Sequence, residues 1–450
     1  MSHAAPNLDS TPGQQTTGLR SLSRVLLAGV FSILLFAPLA FGSTDPWAIF
    51  VLEFASGGLV ILWAIRQMIL PEMAVQSNPL FGPMLGFAAL VIVQLVFKRT
   101  VYPYKTFSEA LVYFSYGSIA FLAAQLIRRG SHIKKLGFAF TIYGAAMAVF
   151  AMVQSVSSTD KVYWLWTPAH GGWIYGPYVN HNHYAGLMEL LVPIPLVIAL
   201  SKLSSSRTRI LAAVAAALMA GTIILSGSRG GMLALTVELG VFVGLTQIQR
   251  KSIRVRLVLI ASLVAALGIA AWIGGGEITS RLESIGTETR KELSGGMRLR
   301  IDRDGLMMFS HRPVFGFGLG TFATAYPGFR TFSTTFFVNE AHNDYIQLLV
   351  EMGIVGFGLM LWLLVSFYRA ASQKLSGWET TANGGLALAS IVGCTGLLIH
   401  SFLDFNLQIP ANAALFFTMA TLGAAAPIPE SIRRKRSHSL IIEDVWATPA

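Results

Sequence analysis

Arg229 stands in Leu225-Ser226-Gly227-Ser228-Arg229-Gly230-Gly231, between two apolar runs separated by too few residues for a free loop. A lone arginine at a membrane face is most often a snorkelling anchor or the partner of a carboxylate. The glycines tilt the reading toward an anion site, because they let the backbone bend and come close to a ligand, and a guanidinium grips phosphate through two parallel hydrogen bonds. Arg298, Arg300 and Arg303 crowd a second stretch, Met297–His311, with Asp302 and Asp304 among them. Arg298 and Asp302 lie one helical turn apart, so an internal pair accounts for some of these charges and leaves an arginine for a ligand.

His342 lies in Glu340-Ala341-His342-Asn343-Asp344-Tyr345-Ile346-Gln347, which runs straight into an apolar segment. Asn339, Asn343 or Asp344 is suited to cap the helix that starts there. A histidine beside that helix start has the chemistry of a base or donor near neutral pH and favours an anionic neighbour. Two more polar turns, Tyr175–Gly186 with Asn182 and His183, and His400–Pro410 with Asp404, are dense in amide, imidazole and carboxylate groups. His181 and His183 invite a metal reading, but they lack the HExxH arrangement and any nearby Cys or carboxylate cluster, so no metal site is expected. The glycines of Phe315-Gly316-Phe317-Gly318-Leu319-Gly320 invite a nucleotide reading. The spacing is GxGxG with no strand before it and no Lys-Ser/Thr after it, so an aromatic-lined turn is the better account.

The elements that must position these residues are membrane helices. Of 450 residues 54% are hydrophobic and only 12% charged, and the mean hydropathy is +0.60, more apolar surface than a water-soluble core absorbs. The net charge of +11 and pI near 9.8 would suggest nucleic acid in a soluble protein. Here the basic residues sit in short clusters between apolar runs, which orient a membrane protein, and no nucleic-acid partner is expected. The single cysteine, Cys394, rules out a disulfide framework or a Cys-based metal site.

A helix needs about 20 mostly apolar residues to cross the hydrocarbon core. That ruler predicts an all-α polytopic protein with about twelve spans, at 25–42, 47–65, 80–97, 107–127, 136–155, 184–201, 210–226, 231–247, 257–274, 345–368, 383–403 and 409–425. Residues 1–23 read as a disordered cytoplasmic tail, 24–274 as spans one to nine, 275–344 as a long extracytoplasmic loop with an interfacial helix, 345–427 as spans ten to twelve, and 428–450 as a basic cytoplasmic tail. Arg128, Arg129, Lys134, Lys135, Lys202, Arg207, Arg209, Arg250, Lys251, Arg254, Arg256 and the run Arg433–Arg436 all fall on one side in this scheme. Both termini are therefore expected in the cytoplasm, and Arg229, Arg298 and His342 on the extracytoplasmic face.

Taken together, these pieces resemble the O-antigen ligase and polymerase superfamily of bacterial membrane glycosyltransferases over residues 210–360. The resemblance rests on Ser228-Arg229-Gly230-Gly231, on Arg298 ahead of His311-Arg312-Pro313-Val314-Phe315-Gly316-Phe317-Gly318-Leu319-Gly320-Thr321-Phe322, and on His342-Asn343-Asp344-Tyr345 with Glu351, Gly353 and Gly356. Asn182-His183-Tyr184-Ala185-Gly186 is similar to an element of many members, and the Asp404–Pro410 turn to one in exopolysaccharide-associated members. Asp302 stands where many members carry a tryptophan, which keeps Arg300 open as an alternative second arginine. The resemblance implies a GT-C-like fold in the bacterial inner membrane and metal-independent, cofactor-free inverting transfer of a glycan from undecaprenyl diphosphate to an acceptor hydroxyl. It implies Arg229, Arg298 and His342 as catalytic residues, and Arg300, Asn182, His183, Asn343 and Asp404 as substrate-binding ones. The partners are then the lipid-linked donor, a glycan, lipid or protein acceptor, and the membrane. A transporter or flippase would show charges at mid-span and an inverted repeat; a non-enzymatic assembly scaffold is the other alternative.

Overall fold

The computed structural model describes residues 12–249, 295–334 and 337–426, apart from 71, 72, 74, 159 and 169–171. Among them the protein is all-helical, with isolated β-bridges in the loop before residue 181. The helices are α1 (Pro12–Leu39), α2 (Pro46–Ile69), α3 (Phe81–Val96), α4 (Pro103–Leu126), α5 (Gly130–Ser157), α6 (His181–Leu191), α7 (Pro193–Leu200), α8 (Ser206–Leu225), α9 (Arg229–Gln249), α10 (Gly295–His311), α11 (Asp344–Ser372), α12 (Ala382–His400) and α13 (Pro410–Ala424). Their starts follow from sequence. Proline opens α2, α4, α7 and α13, where its missing N–H costs nothing, and Asn180, Ser205, Asn343 and Thr381 cap α6, α8, α11 and α12 through side-chain oxygens.

Nine helical stretches among the described residues are long and apolar enough to cross a membrane, with α6 and α7 counting as one broken at Val192-Pro193. The expected third and twelfth spans appear as shorter helices, α3 with 16 residues and α13 with 15. The expected ninth span at 257–274, the polar part of the loop before residue 295, residues 1–11 and the tail at 428–450 lie outside the described residues, whereas residues 12–23, expected as part of a disordered tail, are the first turns of α1. The helix expected at 297–311 is present as α10.

Packing sorts the helices into a centre and a rim. The α6–α7 stretch is 94% buried and every residue of α13 is buried, with α4, α12 and α9 packed around them. Outer helices instead expose large apolar side chains, such as Phe54 at 72% and Ile142 at 69%. In water such a belt would be an aggregation surface; against lipid tails it is the solvated one. The ends of the central elements converge. The starts of α6, α9, α10, α11 and α13 and the end of α12 meet at one end of the bundle, where the polar turns of the sequence are gathered.

Candidate functional site

The hub of this end is Asp404, in the turn between α12 and α13. Its side chain is wholly buried, and burial alone would keep a carboxyl neutral. Every oxygen is answered, however. His342 Nδ1 lies 3.2 Å from Oδ1, which also accepts from the Phe405 backbone N–H at 2.9 Å. Asn182 Nδ2 donates to Oδ2 at 2.6 Å, and Arg298 Nη1 stands 3.7 Å from the same oxygen. Burial pushes this carboxyl up, but Arg298, the His342 hydrogen bond and the charges of His342 and His183 outweigh it and hold Asp404 well below the usual carboxylate range. A carboxylate only accepts, so Nδ1 of His342 carries the hydrogen, and Nε2 is the nitrogen left with a lone pair when the ring is neutral.

His342 is held in an uncommon backbone state, φ +55°, just before the α11 cap. Its ring packs edge-on against Phe405 with centroids 4.8 Å apart, and His183 packs on the same phenyl at 4.6 Å. Phe405 thus sits between two imidazoles. Asn343 caps α11 by accepting from the N–H groups of Tyr345 and Ile346, as its position suggested. Asp344, buried, accepts from the Leu407 N–H at 3.0 Å, which fastens the Asp404 turn to the start of α11.

Arg298 reaches this hub: its Nη1 donates to the Leu403 carbonyl at 2.6 Å. Asp302, one turn on, bonds to Asn343; burial raises its pKa to about 6, although Asn343 and Arg298 both pull it down. Arg300 is exposed, with its guanidinium over the Phe332 ring at 6.0 Å, and is not brought to Asp404. Arg229 is the first residue of α9, where Ser228 Oγ accepts from the Gly231 N–H as an N-cap. It is exposed and makes no ion pair with any described residue. Its neighbour Gly230 lies flat against the His400 ring: a Cβ there would stand 2.5 Å from Cδ2. Arg229 therefore stands beside the last turn of α12, which leads directly into Asp404.

Two supports behind the site were given no role by the sequence reading. His400 Nδ1 lies 2.7 Å from Glu189 Oε1, both buried, which joins α12 to α6. Glu351 organises the glycine turn: its carboxylate accepts from the N–H groups of Gly320 and Phe322 at 2.8 and 3.1 Å, while Gln94 donates to the carbonyls of Phe315 and Glu351. Glycines 316, 318 and 320 all have positive φ, and the turn packs into a break in α11 at Gly353 (φ +64°). The GxGxG stretch is thus a structural clasp. The signal for both supports was a glutamate inside an apolar run, which needs a partner there. Among the described residues no set of three His, Cys, Asp or Glu side chains is placed to hold a metal ion.

The structure thus joins His342, Arg298, Asn182 and Asp404 directly, sets His183 across Phe405 from His342, and places Arg229 beside His400. Residues 214–361 match the family described as O-Antigen ligase. No curated protein sequence matches the chain. With its membrane-spanning helices and this domain, the chain is a multi-pass bacterial membrane protein that carries an O-antigen ligase domain.

Proposed function

We propose that this O-antigen ligase-domain protein transfers a glycan from undecaprenyl diphosphate to an acceptor hydroxyl at the extracytoplasmic membrane face. The observation that carries the reading is the Asp404 hub, which fixes a histidine tautomer within one side chain of an arginine at a single end of the bundle.

In the proposed step, the bond between the anomeric carbon and the diphosphate oxygen breaks and its electron pair leaves on the diphosphate. Arg298 and Arg229 take up that charge, a task for which fixed guanidinium groups suit two adjacent phosphates. The acceptor oxygen forms the new bond from the opposite face and gives its proton to Nε2 of His342, so the anomeric centre inverts. Asp404 holds His342 in the required tautomer and stabilises the imidazolium that results. Asn182 and His183 shape the wall beside it, and Arg300 and Asn343 flank the approach. We propose this chemistry without a metal or cofactor, on the strength of the guanidinium groups.

Purified protein given a lipid-linked glycan donor and an acceptor should form the transferred product, and Arg229→Ala or His342→Ala should abolish it with protein levels intact. No transfer by the purified parent would point instead to a scaffold, and unchanged transfer by both variants would overturn the assignment of these residues. Glycans from a deletion strain sort the acceptor: single unpolymerised repeats mean polymerase, and long chains left on the carrier mean ligase.

A further inference from the structure

The end of the bundle away from Asp404 holds a pit between the start of α5, the end of α7, the start of α12 and the end of α13. Along α12 it lies roughly 20 Å from the His400 turn, at about 1.5 Å per residue. It is half open to the surface of the bundle, with an enclosed volume of about 70 Å³, so a chain would lie in it as in a groove. The walls are apolar, built by Phe140, Ile194, Val197 and Met419. Small residues keep it open. Gly385 lies against Val197, where a Cβ would come to 3.0 Å, and the wall continues at Ala389.

The mouth differs from the walls. Lys134 and Ser204 stand there, at the helix ends. Neighbouring cations at this end have partners: Lys202 pairs with Glu379 at 2.8 Å, and Lys374 donates to the carbonyls of Gly423 and Ala425 at the end of α13. Lys134 is exposed and pairs with no described residue. The first turn of α5 carries no acidic side chain to offset it. An apolar, half-open pit whose rim carries an ammonium unpaired among the described residues, at the end of a membrane helix bundle, matches one molecule part by part. An acyl chain fills the walls, and a phosphate meets the lysine.

We propose that this pit is a binding site for an anionic phospholipid of the leaflet opposite the Asp404 cluster, with one acyl chain among Phe140, Val197 and Met419 and the phosphate on Lys134. The site is independent of the transfer chemistry. The full-length protein, reconstituted in phosphatidylcholine vesicles doped with phosphatidylglycerol that carries a photoactivatable acyl chain, is irradiated and its adducts are mapped by peptide mass spectrometry. Adducts on the start of α5 and on α7 are expected. They should fall at least about fivefold in Lys134→Glu, since the loss of one basic residue alone contributes that factor against an anionic lipid, and also in Ala389→Phe, which fills the pit. Lys134 is exposed, so its variant decides the matter even where Ala389→Phe fails to fold. Adducts undiminished in Lys134→Glu, or equally abundant from photoactivatable phosphatidylcholine, would overturn the proposal.

Discussion

Asp404 gathers four separate chain segments through one carboxylate, so its replacement tests more than a single contact. Asp404→Asn keeps the shape but sets an amide N–H against either the His342 Nδ1 hydrogen or the Asn182 amide, and one of those contacts must break. Transfer should fall by about 10²–10⁴-fold, the range of a lost general base, while the protein stays monodisperse in gel filtration. Activity within threefold of the parent, on the order of RT in barrier height, would remove Asp404 from the site. Asp302 makes a second prediction, with the opposite sign of shift. Its carboxyl is raised from 3.8 to about 6, chiefly by burial. The folded protein therefore holds that proton more tightly than the unfolded chain does. The stability this contributes is present below the ordinary pKa and is lost as pH rises through about 6. Asp302→Asn does not titrate, so the melting temperature of the parent relative to this variant should drop between pH 4.5 and 7.5. A constant difference across that window would contradict the burial described for Asp302. At this scale the sequence was legible in residue types: the arginines, His342 and Asp404 stood out as polar groups in an apolar chain. Their pairing was not. Asp302 is one turn from Arg298 and looked like its partner, yet Arg298 reaches the Leu403 carbonyl 105 residues away.

Among the elements, the clasp between the glycine turn and the break in α11 sets where His342 stands, because α11 begins two residues after it. Gly353 has φ +64°, and a Cβ there would lie 2.3 Å from the Val314 carbonyl oxygen. Gly353→Ala should cost on the order of 1–3 kcal/mol from the backbone conformation alone, with the clash adding to that. Gly358, five residues on in ordinary helix, has nothing within 4 Å of a built Cβ. Gly358→Ala should be neutral or stabilising by up to about 1 kcal/mol. Detergent-solubilised melting curves of the pair check this, and equal melting temperatures would refute the clasp. Helix positions were readable from apolar run length, and starts from proline and capping residues. The break inside α11 was not, because a glycine within an apolar run is common in membrane helices and carries no mark of its φ.

At the scale of the molecule, the proposed orientation, drawn from the basic clusters in the sequence, puts the Asp404 end outside and the pit end inside the cell. Cys394, the single cysteine, is buried, which leaves a quiet background for labelling. Phe337, 79% exposed, lies in the loop leading to His342, and Lys202 lies between α7 and α8 at the other end. In intact spheroplasts a membrane-impermeant maleimide should modify Phe337→Cys at once and Lys202→Cys only after permeabilisation. The reverse pattern would invert the orientation. Nine of the twelve expected crossings were legible among the described residues as an arithmetic of apolar length, whereas the division into a buried centre and a lipid-facing rim was not. The α6–α7 stretch is as apolar as the outer helices, and its burial follows from which neighbours surround it.

The position of Asp404 in the chain also has a bearing on biogenesis. A protein made from its N-terminus delivers Asn182 first, then Arg298 and His342, and only after them the turn that locks them together. The matched domain closes at residue 361, before that turn has been synthesised. A nascent chain paused there would hold the arginines and the histidine without the carboxylate that sets the tautomer. On this reading, a ribosome-tethered intermediate is inert toward the lipid-linked donor pool, and competence arrives as a late, all-at-once event when the loop between the last two helices is inserted.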